Sequence, residues 1–397
     1  MTKRNVPRET RHRASSRAIL VAIVATLLAP SRAWSRDFFT IAVIPDTQNY
    51  VDDSRPQPRS ARAFIAETAF LASHKDELRL AFVTHVGDVV QHGDGTNGQP
   101  EDRTWGAGAE WRRAEEAMDV LAAAGVPFAV SAGNHDYDSF NHASRSKPLH
   151  GSIHFRRHFG SQSAYFAGKP WYGGASDELP HNPGLSSYQT FSAGGRTFLH
   201  LSLELEPSDA VLSWAQRVIE AHAGYPTIVT THAFLSPPAD GDDRRPLEAA
   251  APRLPASYLK GSPGGWNDAQ GTWEKLIARN DQIFMVICGH AWNPAVQGVS
   301  VSQNVRIDVN DAGHLVYQVL SDYQGNTVAS PGGDGWLRLM EFDLDRDAIH
   351  FTTYSPLLEK RAGQGGERTF RQPPRFSDFT LPMPVQVSAS ASAAVAR

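Results

Sequence analysis

Phe38-Phe39-Thr40-Ile41-Ala42-Val43-Ile44-Pro45-Asp46-Thr47-Gln48 begins with seven residues, apolar or β-branched at every position, and ends in a carboxylate and an amide. A short continuous run of this kind is the signature of a strand buried on both faces. The same arrangement recurs four times. Leu80–Val83 leads to Gly87-Asp88, Phe128–Val130 to Gly133-Asn134-His135-Asp136, Thr227–Thr230 to Thr231-His232, and Ile283–Ile287 to Gly289-His290.

Helical patterns lie between these runs. Phe64, Thr68 and Leu71 share one face, as do Trp111, Ala114, Met118 and Leu121, and the second helix stops at Gly125-Val126-Pro127. Strand, helix, strand in repetition implies βαβ units. After His290 the pattern changes to strands without helices: Val316–Leu320, Trp336–Phe342 and Ile349–Tyr354, with a turn at Gly332-Gly333-Asp334-Gly335. These are expected to form a second sheet on the first. The expected fold is therefore α/β, an α+β sandwich of two mixed β-sheets packed face to face with flanking helices.

The expected domain runs from residue 37 to 356. Within it, Asp138 to Arg196 is rich in Gly, Pro, Ser, His and Tyr and reads as elaborated loops. Residues 357–397 read as a polar tail, with Ser388–Arg397 expected to be disordered. The first 33 residues read as a signal peptide: a basic stretch from Lys3 to Arg17, an apolar run from Ala18 to Ala29, and small residues at Ser31-Arg32-Ala33. Twelve apolar residues fall short of the roughly 20 that span a bilayer. The expectation is export to the periplasm or beyond, with no membrane span in the mature chain.

Removing that segment leaves 31 Lys and Arg against 41 Asp and Glu. A net charge of −10 argues against nonspecific binding to nucleic acid or to an anionic membrane. Cys288 is the single cysteine, so stability must come from a large core, not from internal disulfides. Its place in an apolar run marks it as a buried, inert thiol.

In a sheet of this type functional groups gather at the carboxyl ends of the strands. Asp46, Asp88, Asn134, His232 and His290 would then share one crevice. Two carboxylates, an amide oxygen and two imidazoles suit a pair of divalent ions with mixed oxygen and nitrogen ligation. A shared carboxylate can hold two ions about 3.5–4 Å apart, and Asp88 is the natural bridge. Gly87, Gly133 and Gly289 would let the backbone turn and approach closely. Read singly, each polar residue has a plainer use: Asp46, Asp88 and Asn134 as helix caps, His232 as a satisfied core histidine. Their order and shared placement favour ligation.

The series resembles the calcineurin-like metallophosphoesterases, whose pattern is D-x-H, G-D, G-N-H-D/E, H and G-H-x-H in that order, over about Phe38 to Pro356. The resemblance implies Asp46 on the first metal, Asp88 on both, and Asn134, His232 and His290 on the second. It further implies His135 as general acid, with Asp136 orienting its ring. Two positions depart from the pattern, since Gln48 and Trp292 stand where imidazoles are usual, both at the first metal. The chain also resembles an exported branch whose first motif reads P-D-T-Q, as in Pro45-Asp46-Thr47-Gln48, with a later segment like Ser321-Asp322-Tyr323-Gln324.

Gln48 as a neutral oxygen ligand would shift the first site toward Mg, Mn or Ca and away from Zn. His85 and His92, which flank Gly87-Asp88, are alternative sources of the missing imidazole. Asp322 and Tyr323 are candidates to support the site from behind. Trp292 reads as a wall of the pocket, and Trp105, Trp171 and Tyr172 either contact substrate or pack under loops. There is no GxxxxGK[ST] loop, HExxH or GxSxG elbow.

The expected function is a metal-dependent phosphoesterase acting on a small phosphomonoester or phosphodiester. Attack would come from a metal-bound hydroxide, with divalent Mn, Mg, Fe, Ca or Zn as cofactor and His135 as general acid. The alternative is a noncatalytic protein that binds a metal and a phosphate ligand on the same fold.

Overall fold

Along the first strand, β1 (Phe38–Ile44), successive side chains enter two different apolar layers. Phe39, Ile41 and Val43 point one way and Ala42 and Ile44 the other, as the period-two geometry of a strand requires. The computed structural model describes residues 36–52, 61–93, 108–138, 151–177, 183–237, 252–255, 265–292, 302–324, 333–364 and 377–387. The expected signal peptide and the terminal Ser388–Arg397 lie outside the described residues.

After β1 come α1 (Gln48–Val51), α2 (Arg62–Ser73), β2 (Leu80–His85), α3 (Ala109–Ala123) and β3 (Phe128–Val130). The middle of the chain supplies α4 (Ile153–Phe159), β4 (Tyr172–Ala175), β5 (Ser187–Ala193) and β6 (Arg196–Leu203). Next are α5 (Asp209–Ala221), β7 (Thr227–Thr231), α6 (Ala269–Thr272) and β8 (Ile283–Cys288). The last third holds β9 (Gln303–Val309), β10 (Leu315–Ser321), β11 (Leu337–Asp343), β12 (Ala348–Tyr354), α7 (Pro356–Ala362) and β13 (Asp378–Pro382).

Two mixed sheets result. One has the order β13-β12-β11-β1-β2-β3, the other β4-β5-β6-β7-β8-β10-β9. β1, β2 and β3 run parallel, as do β6, β7, β8 and β10. The inner faces meet through aromatic rings: Phe39 packs on Phe198 with centroids 5.5 Å apart, and Phe82 stacks on Phe191 at 4.6 Å. Burying one such side chain contributes roughly 1.5–3 kcal/mol. Hydroxyl pairs join the two faces nearer the strand ends, Thr84 to Thr230 at 3.0 Å and Ser131 to Ser202 at 2.7 Å.

Helices close both outer faces. Phe64 and Leu71 of α2 and Trp111, Ala114, Met118 and Leu121 of α3 cover the first sheet, the faces expected from their spacing. Val211, Leu212, Ala215 and Ile219 of α5 cover the second.

Three expectations change. The five motif-bearing strands do not share one sheet: β1, β2 and β3 lie in the first, β7 and β8 in the second. The late strands are likewise divided, β10 joining β8 while β11 and β12 extend β1 antiparallel. Pairing is non-local, and β-rich runs carry no label for their partners. Second, the region read as loops contributes α4, the edge strand β4 and its neighbour β5, hidden because glycine, serine and tyrosine stand where aliphatic residues usually mark a strand. Third, the folded body continues past residue 356. α7 is capped by Ser355, whose Oγ accepts from the Leu358 amide at 3.0 Å, and β13 pairs with β12 while burying Phe379 and Leu381.

Glu67 on the inner face of α2 is fully buried, and neither carboxylate oxygen has a hydrogen-bond partner. Burial raises its pKa well above the usual carboxylate value. A raised folded-state pKa means that stability present below the unfolded value near 4.5 is lost as pH rises toward the folded one. Each pH unit in that window costs up to about 1.4 kcal/mol. Glu67→Gln should therefore gain melting temperature over the wild type progressively from pH 5 to pH 8. A difference independent of pH across that range, followed by calorimetry, contradicts this account.

Candidate metal centre

Because strands from both sheets run parallel, their carboxyl ends open onto one crevice. Asp46 follows β1, Asp88 follows β2, and Asn134 opens the short 3-10 turn after β3. His232 and His290 follow β7 and β8. His232 is the hub: its Nε2 lies 3.0 Å from Asn134 Oδ1, 3.3 Å from Asp88 Oδ1 and 3.2 Å from His290 Nδ1. Its Nδ1 donates to the Val86 carbonyl at 3.1 Å, which leaves the Nε2 lone pair for the crevice. Asp46 closes the other side, its carboxylate accepting from the His290 amide at 3.1 Å and lying 3.8 Å from His232 Nδ1.

Close approach is built into the backbone. A Cβ on Gly133 would stand 2.1 Å from Asp88 Oδ1, and one on Gly289 2.2 Å from Asp46 Oδ2, so neither position admits a side chain. Asp88 and His290 themselves take positive φ, 51° and 69°, a left-handed conformation that L-residues adopt at a cost of order 1–3 kcal/mol.

Gln48 is buried beside Asp88. Its Nε2 donates to Asp88 Oδ2 at 3.2 Å and to Gln324 Oε1 at 2.9 Å, while its Oε1 has no hydrogen-bond partner. Gln324 in turn donates from its own Nε2 to Asp322 Oδ2 at 3.1 Å. Asp322 is fully buried just beyond β10, which pairs parallel with β8, so it sits at a sixth strand end on the same rim. Tyr323 turns away and bonds Gln303 and Thr353. Trp292 is half exposed.

The electrostatics are those of a crevice with too much negative charge. Burial raises the Asp46 pKa well above normal, and Asp322 raises it further. Burial likewise pushes Asp322 up to about 7. Burial works against the anion of Asp88 too, but His232, His135 and His290 outweigh it and hold the carboxyl well below its ordinary value. His232 is the converse: burial disfavours its cation, yet Asp88 and Asp46 raise it to about 9. His290 is held down to about 3 by burial and by the neighbouring His232. A proton on His232 thus does the neutralising that a dication would do better, and ion binding would release it. Hard oxygen donors with two imidazoles, one orphaned amide oxygen and glycine-made clearance fit divalent ions.

His135 lies at the mouth. Its amide donates to Asp88 Oδ1 at 2.8 Å, its Nδ1 donates to the Gln91 carbonyl at 2.9 Å, and its Nε2 stands 4.0 Å from Asp88 Oδ2. Asp136 does not orient that ring, contrary to expectation. The turn directs its carboxylate beneath the crevice, where it accepts from the amides of Val89, Val90 and Gly133 at 2.8–3.1 Å and ties two motif loops together.

His85 does not replace a missing imidazole either. Its Nδ1 accepts from the Gly87 amide and its Nε2 faces Thr47 Oγ1 at 3.0 Å, so both nitrogens are occupied. His92 is engaged with Glu110 at 2.9 Å. Asp52, His92 and Glu110 form a second group whose ligand atoms lie within 4.8 Å of one another, alongside Asp88, His232 and His290. Trp171 and Tyr172 pack against Phe166, and Trp105 lies outside the described residues. Cys288 is buried and its thiol pushed up to about 12, in keeping with an inert role. Gln91 acts through its main chain, which leaves no mark in sequence; Gln324 was legible only as part of the Ser321–Gln324 segment, with no role attached, and Glu110 was missed because it lies beside none of the motifs.

Residues 39–293 match the profile of the calcineurin-like phosphoesterase family, a span that contains all six ligand candidates and stops short of Asp322. The uncharacterized protein YvnB of Bacillus subtilis strain 168 is 25% identical over 330 residues, 82% of this chain. The chain spans only 20% of the length of that curated relative. Among solved structures it is similar to a dimetal phosphatase from Danio rerio, at 13% identity and a TM-score of 0.43, covering 87% of this chain and 98% of that one. It is also similar to the purple acid phosphatase PPD1 of yellow lupin (Lupinus luteus), at 14% identity and a TM-score of 0.44, covering 88% of this chain and 54% of that one.

Gly133→Ala should lower Mn²⁺ affinity at least about tenfold, the scale seen when a ligand's supporting contacts are lost. Gly363→Ala, where φ is −62° and the nearest atom is 3.6 Å away, should leave it unchanged. Calorimetric titration giving equal affinities for the two variants contradicts the close-packed reading of Gly133 against Asp88.

Proposed function

The chain belongs to the calcineurin-like phosphoesterase family, and from that premise we propose that its crevice hydrolyses a small phosphate ester with divalent metal ions bound by Asp46, Gln48, Asp88, Asn134, His232 and His290. One observation carries this reading: Asp88 Oδ1, Asn134 Oδ1 and His290 Nδ1 all converge on His232 Nε2 within 3.0–3.3 Å. A carboxylate, an amide oxygen and two imidazoles gathered this closely in a buried place offer one cation a shared set of donors.

The second site has its four donors in place. The first rests on Asp46, Asp88 and the free Oε1 of Gln48, with Asp322 behind them, an oxygen-rich set that favours Mg, Mn or Ca over Zn. Bound divalent ions supply Lewis acidity toward phosphoryl oxygen and ionise water near neutral pH. Asp88 offers one oxygen to each site. The Val86 carbonyl keeps the His232 ring aimed, and Asp136 keeps the Asp88 and Asn134 loops together. His135, at the mouth, presents Nε2 to the leaving oxygen and protonates it, a role worth about 10²–10⁴ in rate. Export of the mature chain from residue 34 onward is part of the same proposal, supported by the basic, apolar and small-residue order of residues 1–33.

Asp88→Asn removes the shared charge and should abolish metal content and phosphoesterase activity together, measured by elemental analysis and by a panel of mono- and diesters with Mn²⁺. Retention of both refutes the assignment. Wild-type protein that binds metal and phosphate but hydrolyses no ester, as the two missing imidazoles at Gln48 and Trp292 would permit, establishes the noncatalytic alternative.

A further inference from the structure

Glu110 is an acid in the first turn of α3, where a solvent-facing carboxylate ordinarily complements the helix dipole. Here it is 1% exposed and turned away from its own helix. Its Oε2 accepts from the amides of Gln91 and His92, both at 2.9 Å, and its Oε1 accepts from His92 Nδ1 at 2.9 Å. The next residue, Trp111, donates from Nε1 to the Gly93 carbonyl at 3.1 Å. The start of α3 thus grips three consecutive residues.

The other edge of that tripeptide holds His135. The Gln91 carbonyl accepts from His135 Nδ1, and the Gly93 amide donates to the His135 carbonyl, each at 2.9 Å. The ring is therefore placed by a main-chain carbonyl, and the carbonyl is placed by Glu110. We propose that Glu110 is the positioning residue for His135, holding Nδ1–H on the Gln91 carbonyl so that Nε2 faces the crevice, where the imidazolium gives its Nε2 proton to the leaving oxygen and is left as the neutral Nδ1–H tautomer. This rests on the reading of His135 as proton donor to the leaving group. The structure explains why Asp136, one residue along, is free for other work: the orienting contact is supplied from α3 instead. Charge-assisted bonds to two amides and an imidazole make the clamp stiff, and removing the carboxylate would leave buried donors unsatisfied.

The test is a double-mutant cycle of Glu110→Gln and His135→Ala, run in the full chain with aryl phosphates whose leaving groups range from good to poor. Glu110→Gln should lower kcat about tenfold for the poor leaving group and less than threefold for the good one, with KM and metal content unchanged. In the His135→Ala background it should cost less than twofold further. Equal losses for both leaving groups, an additive loss in that background, or lost metal overturns the proposal. Nitrogen NMR of His135 gives a reading that does not depend on turnover. The wild type should be protonated at Nδ1 and Glu110→Gln a mixture of tautomers; an unchanged spectrum overturns the proposal. A wild type that hydrolyses none of the esters defeats the phosphoesterase reading, while the tautomer still decides the clamp. If Glu110→Gln does not fold, Glu110→Asp, with its carboxylate one methylene short, is carried through the same cycle with the same criteria.

Discussion

The crevice depends on the contact between the inner faces of the two sheets. Phe39 on Phe198 and Phe82 on Phe191 set their spacing, and the Thr84–Thr230 and Ser131–Ser202 pairs tie them together close to the strand ends. Asp46, Asp88 and Asn134 come from one sheet, His232 and His290 from the other. Slide one sheet by a residue and the 3.0–3.3 Å convergence on His232 is lost. Close-packed interiors transmit such displacements with little give, which makes the core part of the site.

The same constraint explains what sequence could disclose. Each strand and its terminal ligand is a local pattern, and all five were legible: buried runs of the right length ended on the residues that the fold brings together. The helix faces of α2 and α3 were legible for the same reason. Sheet membership was not, because a run such as Ile283–Ile287 pairs equally well with any parallel neighbour until the whole chain is placed. Strands β4 and β5 were obscured by Gly173, Gly174 and their serine and tyrosine neighbours. Asp136 was misread since its direction follows from a tight turn, and Glu110 was missed because first-turn acids are common for a reason of their own. The carbonyl of Gln91 could have belonged to any residue.

The centre is asymmetric. Around His232 four candidate donors meet, with main-chain contacts aiming the His232 ring and the Asp88 carboxylate. Around Asp46 the imidazoles are replaced by an amide with one free oxygen and by Asp322 and Gln324, which brace it from β10. Oxygen for nitrogen lowers the preference for borderline metals and lets an ion exchange more freely. Burial of the carboxylates pushes Asp46 and Asp322 toward protonation, and His232 takes up a proton to answer Asp88, so these groups are suited to exchange protons for a cation.

The central claim is that the convergence on His232 is a metal site, and anomalous diffraction from crystals soaked in Mn²⁺ tests it most directly. The account predicts a strong peak bounded by Asp88 Oδ1, Asn134 Oδ1, His232 Nε2 and His290 Nδ1. No peak there, or ordered manganese only at Asp52, His92 and Glu110, would contradict it.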